Sequence, residues 1–151
     1  MASTDGPNPE LRRNLVYLLK HAHLRMAELT AGALAPLGIE GRELGVMLVL
    51  TGRAPMSQQQ AAQRLGIDRT TMVALLDALE GKGLVSRHPD ADDRRRNVVE
   101  LTEAGRETLR RASEVTDEAE RAFLTPLGAR AARELRESLQ AIVIHPDDQD
   151  S

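Results

Sequence analysis

The sequence contains no cysteine and no tryptophan, and its aromatic residues are one tyrosine, Tyr17, and one phenylalanine, Phe123. Without a thiol the chain has no disulfide, thiolate metal site, nucleophilic cysteine or thiol redox switch. With two aromatics it has no stacking platform of the kind used by single-strand binders and RNA-recognition sheets. No apolar run approaches the roughly 18 to 20 residues of a membrane span, and the opening MASTDGPNPE has neither a basic nor an apolar targeting segment. A soluble, cytoplasmic protein with no membrane partner is expected, its core built from Leu, Val, Ile, Met and Ala. An excess of positive charge is missing too. The net charge of −3 supplies no global attraction to nucleic acid. Its distribution is uneven, however: the segment from Ser57 to Thr102 holds seven basic and seven acidic residues, so the surplus acid lies in the flanks.

What is present is enough, in 151 residues, for one domain with its own core, or for a small domain plus elements that complete their core on another subunit. Asn8-Pro9-Glu10 reads as a helix cap, first turn and first-turn acid. From there apolar residues recur at helical spacing through Leu11, Leu15, Leu18, Leu19, Ala22, Met26 and Leu29, predicting one helix to about Leu34. PLGIEG breaks it. A second helix is expected from about Gly41 to Thr51, ended by GRAP. Beyond Thr102, a helix through TEAGRETLRRASEVTDEAERAFL and another ending near Val143 complete the chain.

The middle carries the chemistry. Ser57 with Gln60 is a capping box opening a short helix that stops at Leu65-Gly66. Asp68 then caps a second helix with an apolar stripe at Met72, Leu75, Leu76 and Leu79, and Gly83 suits the left-handed residue that ends it. Two short helices joined by a tight glycine-containing turn outline a helix-turn-helix. LVSRH and NVVEL follow as strands of a hairpin, with a polar loop from about Pro89 to Arg96 in which three acids precede three arginines. The fold class read from these elements is mainly α with a small β-hairpin wing, a winged helix-turn-helix.

Its parts make different demands of DNA. The second helix enters the major groove by its first turns, so the residues off the buried stripe face base edges. Here they are Arg69, Thr70, Thr71, Val73 and Ala74, with Asp77 further along; Ser57 and Gln58, at the start of the first helix, join them as candidate DNA contacts. At the hairpin tip, an arginine can enter the narrow minor groove if a carboxylate holds it. Asp93 and Arg95, two apart in an extended segment, share a side, leaving Arg94 or Arg96 for phosphates. The plainer reading is a solvated turn whose charges cancel.

Together the segments MSQQQAAQRLGIDRTTMVALLDALEGKGLV and DRRRNVVELTEAG resemble the MarR family of bacterial transcriptional regulators, with Asp93, Arg94, Arg95, Leu101, Thr102 and Gly105 at the positions of the family's wing signature. The resemblance spans about Pro9 to Val143. It implies that Arg95 is the minor-groove arginine, Asp93 its orienting acid, and Arg69 to Ala74 the groove-facing start of the recognition helix. One departure matters: family members often carry threonine and arginine where this chain has Val73 and Ala74, which moves weight to Arg69, the threonines, the wing and DNA shape. The resemblance also implies a homodimer on an inverted repeat of double-stranded DNA, with half-sites roughly 10 base pairs apart. On that basis 1–8 is a disordered tail and 9–145 a single domain. In it, 9–40 and 102–145 are dimerisation helices and 41–101 is the winged helix-turn-helix; 146–151 is a disordered acidic tail. Leu11, Leu15, Phe123, Leu124 and Leu127 are the expected interface, in terminal helices more apolar than so small a winged domain can cover.

In the family, small and often phenolic anions bind between the dimerisation helices and the winged domain. Tyr17, His21 and Arg25, at i, i+4 and i+8, are the candidate lining for such an effector, the alternative being ordinary interface or solvent-facing residues. The four histidines, His21, His23, His88 and His145, lack metal-ligand spacing, so no metal and no cofactor is expected. No nucleophile and base pair and no phosphate-binding glycine loop suggests an enzyme. The rival to a DNA-binding repressor is a protein-binding helical dimer, for which the acidic net charge speaks.

Overall fold

The computed structural model describes residues 6–52 and 55–144. Residues 1–5 of the tail expected at 1–8, the tail expected at 146–151, His145, and Arg53 and Ala54 in the break after the second helix lie outside the described residues.

The N-terminal region is two helices rather than one, α1 (Pro9–Arg13) and α2 (Leu15–Leu34). Asn8 caps α1 as expected, its Oδ1 accepting from Leu11 N at 3.0 Å. Six residues later Asn14 does the same for Tyr17 N at 2.9 Å with an extended backbone, so the second cap interrupts the helical periodicity. An asparagine side chain offers the backbone an alternative to the helical ladder, and here the alternative prevails. A 3-10 turn (Ala35–Leu37) closes on Gly38, whose φ of 70° is left-handed, and α3 (Gly41–Val49) follows, two residues shorter than expected. It opens on a capping box between Glu40 and Glu43.

The helix-turn-helix is α4 (Gln58–Leu65) and α5 (Arg69–Gly81). Ser57 and Gln60 cap each other reciprocally. At Gly66 the chain turns left-handed, φ 64°, which lets Ile67 N donate back to Ala62 O at 3.1 Å. Gly83, φ 74°, performs the same service for α5, with Leu84 N on Leu79 O at 3.0 Å. Met72, Leu76 and Leu79 are wholly buried and Leu75 half-buried. Each wholly buried side chain of this size contributes roughly 1.5–3 kcal/mol.

The wing has three strands, not two. β1 (Met56–Ser57) precedes α4, and β2 (Val85–Pro89) and β3 (Asn97–Leu101) form the hairpin, in the order β1-β3-β2 with both pairings antiparallel. Met56 lies opposite Val99 and Val85 opposite Leu101. A two-residue strand has no periodicity of its own to read. Its trace is on β3, where consecutive Val98 and Val99 are both buried, as a central strand covered on two faces requires. Thr102 caps α6 (Glu103–Leu124), and α7 (Ala129–Val143) ends the described chain.

The core joins Leu34, Ile39, Val46, Met47, Met72, Leu76, Leu79 and Val99, so the α2–α3 region, the helix-turn-helix and the wing share one interior. The chain ends differ: α1 and α7 bury no residue, and Leu15, Val16, Ile142 and Val143 are each at least 66% exposed. Between α2, α6 and α7 runs an apolar groove of about 390 Å³ lined by Met26, Phe123, Leu124, Leu135, Leu139 and Val143 among others. Phe123 and Leu124 are thus half covered by their own chain, while Leu11 and Leu127 stay exposed.

Candidate nucleic-acid interface

One concavity of about 450 Å³ gathers most of the predicted DNA-facing residues: Ser57 and Gln58 from the start of α4, Arg69 and Val73 from α5, and Arg95 and Arg96 from the wing loop. It exists because α4 starts directly from β1, which pairs with β3, and β3 leaves the wing loop one residue after Arg96. The strand pairing therefore brings the arginine loop beside the helix pair. Gln59, Gln63 and Asn97 line the same concavity. They were missed in the sequence, although Gln59 and Gln63, at i and i+4, lie off the buried Ala61 and Ala62 face of α4.

At the head of α5, Arg69 and Thr70 are exposed and Thr71 is half-buried. The Thr71 hydroxyl donates to Asp68 Oδ1, and Thr71 N donates to Asp68 Oδ2 at 3.2 Å. Of these two threonines, Thr71 thus spends its only side-chain donor on the helix cap. These bonds, the hydroxyl's foremost and the backbone's next, hold the Asp68 carboxyl below its ordinary value. Val73 is half-buried and Ala74 exposed.

In the wing loop the acids shape the backbone. Asp90 Oδ1 accepts from Asp92 N at 3.0 Å, and Asp93 Oδ1 from Arg95 N at 3.1 Å. Asp90 N on Arg96 O at 2.9 Å and Arg96 N on Asp93 O at 3.0 Å close the turn. The guanidinium of Arg95 approaches Asp93 only to 3.8 Å, and its side chain is 96% exposed. So Asp93 orders the turn from which Arg95 projects more than it clamps the guanidinium, and an ion pair so exposed and long adds little. Arg94 and Arg96 are exposed beside it.

Asp77 does not face a groove freely, because it is paired with Arg87 of β2. This arginine also binds Glu80 and Gln58, and no sequence reading singled it out. Hydrogen bonding to Arg87, the largest effect, lowers the Glu80 carboxyl, and hydrogen bonding to Glu80 raises the Arg87 guanidinium.

Tyr17 and His21 meet on one side of α2, with ring centroids 4.1 Å apart. Tyr17 is half-buried and His21 and Arg25 are exposed, and none of the three lines either concavity described above.

The model of the MarR family matches residues 37–96, from the end of the 3-10 turn through α3 and the helix-turn-helix to the wing loop. Among solved structures, the transcriptional repressor CouR bound to a 23-mer DNA duplex is 36% identical, with 93% of this chain and 99% of that chain covered and a TM-score of 0.82. CouR from Rhodococcus jostii RHA1 bound to p-coumaroyl-CoA is 28% identical, covering 87% of this chain and 93% of that one, at a TM-score of 0.76. A probable transcriptional regulator from Pseudomonas aeruginosa is 28% identical over 88% and 99%, at 0.81.

Proposed function

The chain belongs to the MarR family, and from that membership we propose that it is a DNA-binding transcriptional repressor that binds an inverted-repeat operator as a homodimer. The observation that carries the reading is the single concavity in which the start of α4, the head of α5 and the three-arginine loop converge. The residues of these three segments differ in role. Arg69 and Thr70 supply polar groups to base edges, Val73 and Ala74 supply methyl contacts, and Thr71 keeps the helix start rigid. Arg95 reaches the minor groove, with Arg94, Arg96 and the α4 start, Ser57 and Gln58, on phosphates. That the 36% identical repressor is bound to duplex DNA supports the assignment.

The dimer is supported by the exposed Leu15, Val16, Ile142 and Val143 and by the groove beside Phe123 and Leu124, all at the ends of the chain. A partner covering Leu11, Leu15, Phe123, Leu124 and Leu127 places two reading heads on one side of the DNA. Release by a small molecule completes the proposal. The relative that holds p-coumaroyl-CoA makes that thioester the first ligand to test, with Tyr17, His21 and Arg25 as candidate contacts. A coupling of about 1–3 kcal/mol would weaken DNA binding roughly 5- to 150-fold. No catalytic role and no cofactor form part of the proposal. The site of action is the cytoplasm, where the chromosome is; among the described residues no helix is long and apolar enough to cross a membrane.

Selection of duplex fragments from the source genome by the purified protein, followed by a salt titration, tests this. Enrichment of an inverted repeat with affinity falling steeply as salt rises is the expected result. Arg95→Ala should weaken binding to the selected duplex by about 1–3 kcal/mol. The second reading, a protein-binding helical dimer, draws on the net charge of −3. It predicts no enriched duplex and no effect of Arg95→Ala.

A further inference from the structure

The geometry points to Arg87 as the positioning residue that fixes the wing, α5 and the start of α4 in one arrangement, and through them sets which sequences the protein prefers. The inference rests on the DNA-binding reading above. Arg87 stands mid-strand in β2, opposite Val99, with its side chain only 19% exposed. All three guanidinium nitrogens are engaged. Nε donates to Glu80 Oε2 at 3.1 Å, Nη2 to Asp77 Oδ1 and, at 3.4 Å, to Glu80 Oε1, and Nη1 to Gln58 Oε1 at 3.2 Å. One side chain of the wing thus holds two carboxylates of α5, one turn apart, and an amide at the first residue of α4.

Three consequences follow from the chemistry. First, with four of its five N–H donors already bonded within the protein, Arg87 acts through its neighbours. Second, Asp77 and Glu80 would otherwise present two uncompensated carboxylates on a helix that approaches phosphates; the guanidinium between them offsets that charge. Third, Gln58 has its oxygen taken, so its amide nitrogen is the end left to donate, and Gln58 lines the concavity with Arg69, Arg95 and Arg96. A donor is what a phosphate oxygen requires. Simultaneous reading of a major groove by α5 and a minor groove by the loop requires a fixed separation between them, and a planar fork bonded to three groups supplies it. A lysine has the charge without the fork.

The test uses the full-length protein and the duplex it selects, with Arg87→Lys, Arg87→Met, the pair Asp77→Asn with Glu80→Gln, and the triple variant. Affinity is measured against salt and against a panel of duplexes substituted under the helix and under the wing; thermal stability is followed in parallel. Positioning predicts that both Arg87 variants lose about tenfold or more in affinity and discriminate less among the panel, with Arg87→Lys, which keeps the charge, retaining the salt slope of wild type. It also predicts that the carboxylate pair variant loses discrimination, and that adding Arg87→Met to it does little more. A salt slope reduced by about 1, with an equal loss in either background, would mean that Arg87 touches DNA itself and would overturn the proposal. So would a lower melting temperature with unchanged affinity and discrimination in the folded variants. Failure of wild type to bind any duplex in a salt-dependent way would instead remove the DNA-binding reading, a result separable from these.

Discussion

Gly105 lies on the first turn of α6 where no side chain fits: a Cβ there would stand 2.0 Å from the carbonyl oxygen of Leu84. Backbone meets backbone at this point, with Thr102 N donating to Leu84 O at 3.0 Å and the Thr102 hydroxyl donating to Gly83 O at 2.6 Å. The obstacle is a peptide carbonyl, so it cannot swing aside as a side chain would. Gly105→Ala should therefore destabilise the fold by about 3 kcal/mol, measured by urea denaturation, through forced displacement of the β2 entry. A stability equal to wild type would show that α6 can shift away from Leu84. The presence of a glycine here was legible in the wing signature, but its reason was not, because Leu84 is 21 positions away in the chain. Arg95 presents the opposite case: its place in a polar, charged loop was legible in the chain, and its side chain is 96% exposed there.

At the scale of the element, the start of α5 depends on Asp68, whose carboxyl is held below its ordinary value of 3.8 by Thr71. Glu80 and Glu107 are likewise held below their ordinary 4.5, foremost by hydrogen bonds from Arg87 and Arg110 respectively. A carboxylate with a depressed folded value contributes stability that is present above its unfolded value and lost as pH falls through the folded one. Melting temperature should accordingly be flat from pH 7 down to about pH 5 and decline below the ordinary 4.5 and 3.8, where the unfolded chain takes up protons that the folded carboxylates still resist. Asp68→Asn keeps a capping oxygen without a titrating group and should flatten part of the decline. An unchanged acid profile in that variant would place the sensitivity elsewhere. The caps themselves were readable because each acts over three residues. The break at Asn14 was not, because the apolar spacing on either side continues in phase and hides the cap.

For the whole molecule the ends matter most. The chain buries its winged core internally yet leaves α1, half of α2 and α7 with apolar faces in solvent. Introducing charge there, with Leu15→Glu and Ile142→Glu together, should give a folded monomer by sedimentation and circular dichroism. Operator affinity should collapse, because one reading head makes half of the contacts. A dimer that survives both changes would locate the interface on another surface. The same split explains why the terminal helices were easy to predict as helices and hard to place: amphipathic spacing names a face and says nothing of what covers it.

What the sequence determined by itself was the order and type of the elements, apart from the break at Asn14 and the two-residue strand β1, and the loop that carries the arginines. Caps, glycine turns and apolar spacing are interactions between residues one to four positions apart, and those are written along the chain. The tertiary structure alone decided the rest. It pairs Met56 and Ser57 with β3 and seats the buried Glu43 carboxylate on Lys82 at 2.8 Å across 39 positions. It also gathers Gln58, Asp77 and Glu80 around Arg87. A guanidinium or a carboxylate carries several equivalent bonding sites and many acceptable partners. Which partner it takes depends on where the packed helices and strands bring them together, and that is a property of distance in space rather than of spacing in the chain.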